Sequence, residues 1–184
     1  MISVIMPSYL GDYPNAATNR EEKLPRAIKS FLAQEIGELI VVADGCEKTA
    51  EIARKYPVRL VNIQKQPPFS GTPRNIGILV AKYNYIAYLD NDDMFGANHL
   101  KRIADNLDTD WLYWNDYVNG KTRPVWLEFG HIGTSAIAHK KDLDCKWNDG
   151  YGHDWQFIQQ LKHYPSKRII ANYQVMHIPG VIDQ

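Results

Sequence analysis

Apolar runs and helix-spaced apolar positions alternate along the first 107 residues. Short apolar runs bounded by polar or turn residues predict buried strands, and apolar residues spaced three or four apart predict helices. The predicted strands are 2–6, 39–43, 58–63 and 85–89. The predicted helices are 24–33, 49–56, 72–80 and 100–107. This alternation predicts a parallel α/β sheet with right-handed crossovers.

Beyond residue 110 the pattern becomes less regular. Short aromatic runs separated by glycine-containing turns predict strands at 111–118, 123–129 and 132–139. A helix is predicted at 152–163 and a closing strand at 168–178. Because no internal repeat, low-complexity tract or linker interrupts the chain, we expect one domain with a mixed second half.

The composition is ordinary for a soluble globular domain, with 45% hydrophobic and 23% charged residues. Lysine plus arginine and aspartate plus glutamate each number 21, so the formal net charge is zero, which argues against a general nucleic-acid binder. Cys46 and Cys145 form neither a disulfide framework nor a zinc motif, which favours a reduced setting. The run 2–6 lacks the features of a signal peptide, and no stretch is long enough to cross a bilayer. We therefore expect a cytoplasmic protein with, at most, peripheral membrane contact.

Polar residues follow the predicted strands where a ligand is expected, because ligands of an open parallel sheet bind outside the carboxyl ends of its strands. These ends carry Pro7, Ser8 and Tyr9 after the first strand, Asp44 after the second and an acidic run after the fourth. Arg74 stands in the first turn of a predicted helix, where helix electrostatics favour an acid rather than a cation. An anionic group close to Arg74 would explain its position.

The run Asp90-Asn91-Asp92-Asp93 is the sharpest chemical signal in the chain, with three carboxylates in four residues. Their mutual repulsion raises pKa values unless a cation lies among them. Carboxylate oxygens are preferred ligands of hard divalent metals, so the run predicts a metal site. The alternative is a solvated acidic turn in which Asp93 caps the following helix.

Five segments of the first half resemble the motifs of the family 2 glycosyltransferases of the GT-A fold. In order, they are 2–9 (ISVIMPSY), 26–34 (RAIKSFLAQ), 38–45 (ELIVVADG), 71–77 (GTPRNIG) and 86–93 (IAYLDNDD). The resemblance implies a GT-A-type α/β fold, with a Rossmann-like, mostly parallel central sheet, helices on both faces and a mixed C-terminal half. It also implies that residues 1–184 form a single catalytic domain, in which 1–107 bind the nucleotide sugar and 108–184 bind the acceptor.

The same resemblance implies metal-dependent transfer of a sugar from a nucleotide-diphosphate sugar to an acceptor hydroxyl, with inversion. UDP is the favoured nucleotide, and the acceptor is a glycan, a lipid-linked glycan or another hydroxyl compound. Asp154 is the implied general base, and Asp92, Asp90 and His177 are the implied ligands of Mn²⁺ or Mg²⁺. The implied donor-binding residues are Pro7, Ser8, Tyr9, Asp44, Arg74, Asp90 and Asn91. The implied acceptor-binding residues are Gly133, Thr134, His153 and Trp155.

The chain departs from the family pattern at three places. Ala43 stands where the family often has another aspartate, and His153 replaces the acid that usually precedes the base. The polar loop 11–22 is longer than the usual link after the first strand, and long loops inside compact domains are often functional.

Other functions stay open on the sequence. Retaining GT-A enzymes share the metal motif and the C-terminal histidine. A sugar-1-phosphate nucleotidyltransferase also binds nucleotides with magnesium, but a glycine-rich basic loop should then follow the first strand. A phosphohydrolase with an Asp-x-Asp nucleophile carries that motif after the first strand rather than the fourth. A non-catalytic nucleotide-sugar-binding module needs neither Asp92 nor Asp154, and Asp154 can instead cap its helix.

Overall fold

The apolar runs of the first half form neighbouring parallel strands. A computed structural model describes residues 1–67 and 69–176. The strands of the first half are β1 (Ile2–Ser8), β2 (Glu38–Asp44), β3 (Arg59–Ile63) and β4 (Tyr85–Tyr88). β1 pairs in parallel with β2 and β4, and β2 pairs in parallel with β3. The central strands β1 and β2 are buried on both faces, which explains their continuous apolar sequences.

β1 extends beyond its predicted end at Met6. Pro7 has no N–H to donate to a neighbouring strand, so proline usually marks a strand end or edge. The pairing of β1 with β4 ends at Ile5 and Tyr88, so Pro7 lies beyond β4 and keeps its register with β2. The extension carries Ser8 to the carboxyl edge of the sheet.

Helices cover both faces of the sheet. They are α1 (Arg20–Leu32), α2 (Glu47–Ala53), α3 (Gly71–Val80), α4 (His99–Ala104) and α5 (His153–Leu161). Residues of α1, α2 and α4 share a core with Val4 and Val41, whereas residues of α3 and α5 share a second core with Ile5 and Ile40. Adjacent strand residues point to opposite faces, so neighbours in β1 serve different cores.

The second half of the described chain extends this sheet and adds a small second one. Its strands, with one short strand from the end of the first half, are β5 (Met94–Phe95), β6 (Trp111–Tyr113), β7 (Asp116–Val118), β8 (Lys121–Arg123), β9 (Ile137–Lys140), β10 (Ser166–Arg168) and β11 (Tyr173–Val175). Over residues 1–67 and 69–176, the larger sheet has the order β10-β6-β9-β4-β1-β2-β3 and the smaller one β5-β11-β7-β8. β9 runs antiparallel to both β4 and β6. The predicted fold class is confirmed.

Two strand predictions of the second half are wrong in extent. The predicted strand 111–118 divides into β6 and β7, which belong to different sheets. The chain turns away at Trp114, whose backbone N–H donates to the carbonyl of Ala136. The predicted strand 132–139 begins instead with a 3₁₀ turn at Thr134–Ala136, and only its end joins β9.

Two further predictions fail for similar reasons. The predicted strand 123–129 does not form, because the N–H of Trp126 donates to the carbonyl of His131 and closes a turn. The predicted closing strand 168–178 divides into β10 and β11, and its end lies outside the described residues. Local aromatic content in this half therefore fixed neither burial nor the strand ends, since Trp111 and Trp114 are buried but Trp126 and Phe129 are exposed.

Candidate active site

The ends of β1 and β4 meet, and their side chains bind each other. The amide of Asn91 donates a 2.9 Å hydrogen bond to Oγ of Ser8, which also lies 3.1 Å from the hydroxyl of Thr49. Ser8 and Asn91 are both buried. These two residues attach the acidic run to the end of β1. Their predicted contact with a donor stays a prediction.

Arg74 has the anionic neighbour that its position predicted. Its Nη2 lies 3.4 Å from Oδ1 of Asp90, and the Arg74 side chain is 5% exposed against 37% for Asp90. Burial raises the pKa of Asp90 to about 6; Arg74 opposes this rise, while the carboxylates of Asp92 and Asp154 add to it. Partial burial of this carboxylate therefore outweighs the attraction of Arg74.

The other two carboxylates of the run have different surroundings. Asp93 is buried, and its Oδ1 accepts a 2.7 Å hydrogen bond from the N–H of Met176. Burial, followed by the charges of Asp90 and Asp92, raises the pKa of Asp93 well above its ordinary value. Asp93 thus binds the backbone N–H of Met176 in the interior and does not cap a helix. Asp92 is half-buried, and its backbone carbonyl accepts a 2.8 Å hydrogen bond from Nη2 of Arg26.

Of the three predicted metal ligands, two lie within the described residues and one lies outside them. Asp90 and Asp92 lie within residues 1–67 and 69–176, and His177 lies outside them. Within those ranges, no group of three or more His, Cys, Asp or Glu side chains is arranged to hold a metal ion. The described residues therefore supply two of the three predicted ligands.

A series of side-chain contacts leads from Asp90 to α5. Nη1 of Arg74 donates a 2.5 Å hydrogen bond to Oγ of Ser70 and lies 3.1 Å from Nε2 of His153. The guanidinium carbon lies 4.9 Å from the centroid of the Trp147 ring. Nε of Arg74 is buried and has no hydrogen-bond partner among the described residues. This enclosure gives the guanidinium a fixed orientation in which Nη2 faces Asp90.

Asp154 lies in the first turn of α5 beside the predicted acceptor residues. Its Oδ1 accepts a 2.6 Å hydrogen bond from the hydroxyl of Thr134 and lies 3.3 Å from Nε2 of His153. A Cβ added to Gly133 would come within 3.6 Å of its Oδ2. The structure thus brings Asp154, Gly133, Thr134 and His153 together. The Asp154 side chain is 37% exposed, so a ligand can reach it.

Asp44 is bound by two groups of its own chain. Its Oδ2 accepts a 2.8 Å hydrogen bond from Nζ of Lys65, and its Oδ1 accepts one of 2.7 Å from the N–H of Gln66. Nζ of Lys65 also lies 4.4 Å from the centroid of the Tyr9 ring. Tyr9, Lys65 and Asp44 form one cluster at the ends of β1 and β2. A nucleoside that binds Asp44 must share its carboxylate with Lys65.

Aromatic side chains around α5 divide into a core group and an exposed group. Trp147 is buried and stacks on Phe157 with ring centroids 4.0 Å apart. Trp155, a predicted acceptor residue, is half-buried, and its ring lies 6.4 Å from that of Phe129. Phe129 and Tyr151 are exposed. Accessible ring faces therefore lie beside the start of α5.

The loop before α5 is fastened to the start of α3. The Asn75 amide donates a 2.8 Å hydrogen bond to the carbonyl of Trp147, and its oxygen accepts one of 3.0 Å from the N–H of the same residue. The carboxylate of Asp149 accepts hydrogen bonds from the N–H and the hydroxyl of Thr72, at 3.1 and 2.6 Å. These contacts join the start of α3, which carries Arg74, to the loop that leads to Asp154.

The predicted polar loop 11–22 borders the acidic run, although its last residues belong to α1. Arg20 donates a 2.5 Å hydrogen bond to the carbonyl of Tyr9, and its guanidinium carbon lies 4.5 Å from the centroid of the Tyr13 ring. Burial raises the pKa of Tyr13, Arg20 opposes the rise and Asp92 adds to it. The loop therefore places an aromatic hydroxyl within electrostatic reach of the predicted metal ligands.

Several residues of the site were missed on the sequence. Arg26 and Lys65 are single cations in a helix and a loop, and no spacing distinguishes them from solvated charges. Asn75 follows Arg74 in the segment 71–77, and this place in a recognised motif could have identified it. Asp149 lies in an irregular loop and gave no signal.

Residues 3–169 match the sequence profile of Glycosyl transferase family 2. The chain belongs to this family. The matched residues include β1 except its first residue, the strands β2 to β4, the acidic run, Arg74 and Asp154. Membership agrees with the resemblance of the five segments in the first half.

The names of two curated relatives refer to poly(ribitol-phosphate) and to teichoic acid biosynthesis. The poly(ribitol-phosphate) beta-N-acetylglucosaminyltransferase TarP of Staphylococcus aureus (strain N315) is 30% identical over 149 residues, which cover 74% of this chain and 43% of TarP. The minor teichoic acid biosynthesis protein GgaB of Bacillus subtilis (strain 168) is 34% identical over 147 residues, which cover 75% of this chain and 15% of GgaB. The family 2 protein described here thus matches less than half the length of either relative.

Solved structures of S. aureus TarS share the fold. The crystal structure of TarS 1–349 has a TM-score of 0.74 at 19% identity, covering 95% of this chain and 60% of that one. The same TarS segment in complex with UDP-GlcNAc has a TM-score of 0.73 at 20% identity, covering 98% and 59%. At these identities the likeness concerns the fold. In the described part of the family 2 protein, no helix combines the length and apolar character needed to span a membrane.

Proposed function

We propose that this protein is a metal-dependent glycosyltransferase that moves a sugar from a UDP-sugar to an acceptor hydroxyl, with inversion at the anomeric carbon. The observation that carries the proposal is the continuous set of contacts from Asp90 through Arg74 and His153 to Asp154. It joins an anion-binding cation and an acidic run to an accessible carboxylate. Donor, leaving group and base can thus meet in one place, which a direct displacement requires.

Asp154 acts as the general base in this proposal. The acceptor hydroxyl gives its proton to the Asp154 carboxylate while its oxygen forms a bond to the anomeric carbon. The bond from that carbon to the diphosphate oxygen breaks, and UDP leaves with the bonding electrons. The hydrogen bond from Thr134 holds the carboxylate in one orientation, as proton transfer needs a positioned base.

Asp90 and Asp92 fit a divalent cation by the chemistry of their oxygens, because Mn²⁺ and Mg²⁺ both bind carboxylates. The raised pKa of Asp90, which burial causes first and the carboxylates of Asp92 and Asp154 increase, supports the fit, because a bound cation would offset the cost of keeping this carboxylate charged. We propose His177 as a third ligand. When bound, such a cation supplies positive charge that stabilises the leaving diphosphate. Arg74 supplies a second positive charge to the same group.

We propose that the donor's nucleoside lies at the cluster of Pro7, Tyr9 and Asp44, with Ser8 and Asn91 supporting it from the end of β1. UDP-GlcNAc is the first donor to test, because TarP is named as an N-acetylglucosaminyltransferase and TarS has been solved with UDP-GlcNAc. The family membership sets aside the nucleotidyltransferase and phosphohydrolase alternatives.

We propose that the acceptor binds over Gly133, Thr134 and Trp155, beside the exposed rings of Phe129 and Tyr151. The names of TarP and GgaB make a polyol-phosphate polymer the first acceptor to test, ahead of a glycan or a lipid-linked glycan. We further propose that residues 1–184 act as one catalytic domain, with the donor in 1–107 and the acceptor in 108–184. The free thiols of Cys46 and Cys145 support a place in the cytoplasm.

The replacement Asp154→Asn tests the proposal, with sugar transfer followed as UDP release. We expect kcat to fall about 1,000-fold, because the hydroxyl loses its base, while UDP affinity stays unchanged. Asp108→Asn, at an exposed carboxylate, is the matched control and should leave transfer unchanged. Unimpaired transfer by Asp154→Asn would sink the base assignment, and no transfer by the wild type with any nucleotide sugar would favour a binding module. The anomeric configuration of the product, determined by NMR, distinguishes inversion from retention.

A further inference from the structure

His153 lies where the donor-side and base-side contacts meet. Its Nδ1 is 2.9 Å from the carbonyl oxygen of Gly150. Its Nε2 is 3.1 Å from Nη1 of Arg74 and 3.3 Å from Oδ1 of Asp154. The imidazole side chain is 15% exposed, so these neighbours, rather than solvent, decide its hydrogen bonding.

The two closest partners fix the position of the proton on a neutral His153 ring. A carbonyl oxygen only accepts hydrogen bonds, so Nδ1 carries the hydrogen that is shared with Gly150. A guanidinium only donates, so Nε2 presents its lone pair to Arg74. In this tautomer Nε2 has no proton to offer Asp154, whose Oδ1 receives its hydrogen bond from Thr134 instead.

The hydrogen-bond acceptor Nε2 of His153 determines the orientation of the Arg74 guanidinium. Nη1 of Arg74 contacts both Ser70 and His153, and this leaves Nη2 directed at Asp90. Because the guanidinium is a rigid planar fork, fixing Nη1 also fixes the direction of Nη2. Without the imidazole lone pair, Nη1 keeps only a rotatable hydroxyl as a described side-chain acceptor.

We propose that His153 is a positioning residue, whose Nε2 lone pair holds Arg74 in the orientation that binds the donor's diphosphate. The inference rests on the proposed function, because it takes Arg74 as a donor-binding residue. A neutral acceptor suits this place. A carboxylate would also accept from Arg74, but it would add a further negative charge beside Asp90 and Asp154.

Two replacements of similar shape separate this role from a structural role in the turn at Gly150. His153→Gln puts a carbonyl oxygen near the position of Nε2 and so keeps an acceptor for Arg74. His153→Asn puts an amide N–H near the position of Nδ1, and so keeps the bond to Gly150 and loses the acceptor. We expect UDP with Mn²⁺, measured by titration calorimetry, to bind His153→Asn about 10-fold more weakly than the wild type, and His153→Gln within about 2-fold.

The opposite order of affinities, or equal affinities for the two variants, would overturn the inference and assign His153 to the turn. His163→Asn is the matched control, because this exposed histidine follows the far end of α5, and it should leave UDP affinity unchanged.

A second readout needs no donor. Long-range ¹H–¹⁵N NMR spectra of the unliganded wild type should show the Nδ1–H tautomer of His153. Finding the Nε2–H tautomer overturns the inference whether or not nucleotide binds. Absence of UDP binding by the wild type counts against the proposed function instead, so the two failures are distinguishable.

Discussion

The two halves of the molecule are stabilised by different means. Residues 1–107 contain the long strands β1 and β2, whose side chains are buried on both faces of the sheet. Residues 108–176 contribute strands of three or four residues, and β8 and β10 consist of exposed residues. Hydrogen bonds and ion pairs between polar side chains fix much of the chain path in this second half. Apolar burial stabilises both halves, since both contribute to the two cores, but the short strands of the second half depend more on individual hydrogen bonds.

A buried network shows how the second half is attached. Nε1 of Trp147 donates a 2.8 Å hydrogen bond to the hydroxyl of Tyr88, which lies 2.6 Å from Nε2 of His139. Nδ1 of His139 lies 2.8 Å from the carbonyl of Lys140, so Nδ1 carries the hydrogen and Nε2 accepts from Tyr88. The network fixes β4, β9 and the loop before α5 relative to one another.

Acid should weaken both halves together. Burial lowers the pKa of His99, in the first half, to about 3 and that of His139, in the second, to about 4. The unfolded chain binds protons below about pH 6.5 and the folded chain does not, so this stability is present above pH 6.5 and is lost as pH falls toward 4. At pH 5 each histidine should lower the free energy of unfolding by about 2 kcal/mol, whereas Asp90 and Asp93, whose pKa values are raised in the folded chain, favour folding as the pH falls and offset part of this loss.

Urea unfolding at pH 7 and pH 5 checks this prediction. A single cooperative transition is expected at both pH values, since the halves share both cores. Removal of an exposed histidine in His163→Asn should leave the pH difference unchanged. His139→Gln isolates the histidine contribution, because it removes one of the two buried imidazoles. A pH difference in stability that is the same in His139→Gln as in the wild type, or two separate transitions at pH 5, would contradict the prediction.

Asp116→Ala should be the most damaging single change to the polar order of the second half. Asp116 is fully buried, accepts a 2.8 Å hydrogen bond from Nε of Arg123 and lies 3.0 Å from the donating hydroxyl of Ser135. We expect the free energy of unfolding to fall by about 3 kcal/mol, the low end for a buried pair, because Arg123 reaches water.

Asp105→Ala is the matched control for that variant. Its carboxylate belongs to an exposed ion pair with Lys101 in the first half. Its loss should change the free energy of unfolding by less than about 0.5 kcal/mol. Similar losses for Asp116→Ala and Asp105→Ala would contradict the stabilising role assigned to the buried Asp116.

Asn75→Ala should weaken the attachment of the loop before α5 to α3. The replacement removes both hydrogen bonds to the backbone of Trp147, and we expect a loss of about 2 kcal/mol in the free energy of unfolding. Because the loop leads to Asp154, the rate of transfer should fall more than UDP affinity. Asn106→Ala, at an asparagine bonded to a carbonyl one turn earlier, is the control. An equal loss of rate and UDP affinity would show that the contact of Asn75 with Trp147 affects UDP binding alone.

Much of the first half could be predicted from the sequence, because its strands are buried on both faces and appear as unbroken apolar runs. Only details differed there, such as the continuation of β1 through Pro7. In the second half, Trp114 and Trp126 are aromatic residues at chain turns rather than within strands. Their tertiary contacts decide the backbone path, and no local periodicity records those contacts.

The candidate site divides in the same way. The predicted ends of β1 and β4 and the predicted first turn of α3 already indicated that Ser8, Asp90 and Arg74 lie near one another. The contacts of Lys65 with Asp44 and of His153 with Arg74 could not be predicted, since each depends on side chains brought together by tertiary packing. The roles assigned to these residues in transfer stay predictions.

Titration of UDP with and without Mn²⁺ tests the central claim most directly, namely that the acidic run binds the donor with a metal and that Asp154 acts afterwards. We predict Mn²⁺-dependent binding to the wild type and to Asp154→Asn within about 2-fold of each other, and at least about 10-fold weaker binding to Asp92→Asn. Binding that is independent of Mn²⁺ and equal in Asp92→Asn would contradict the account.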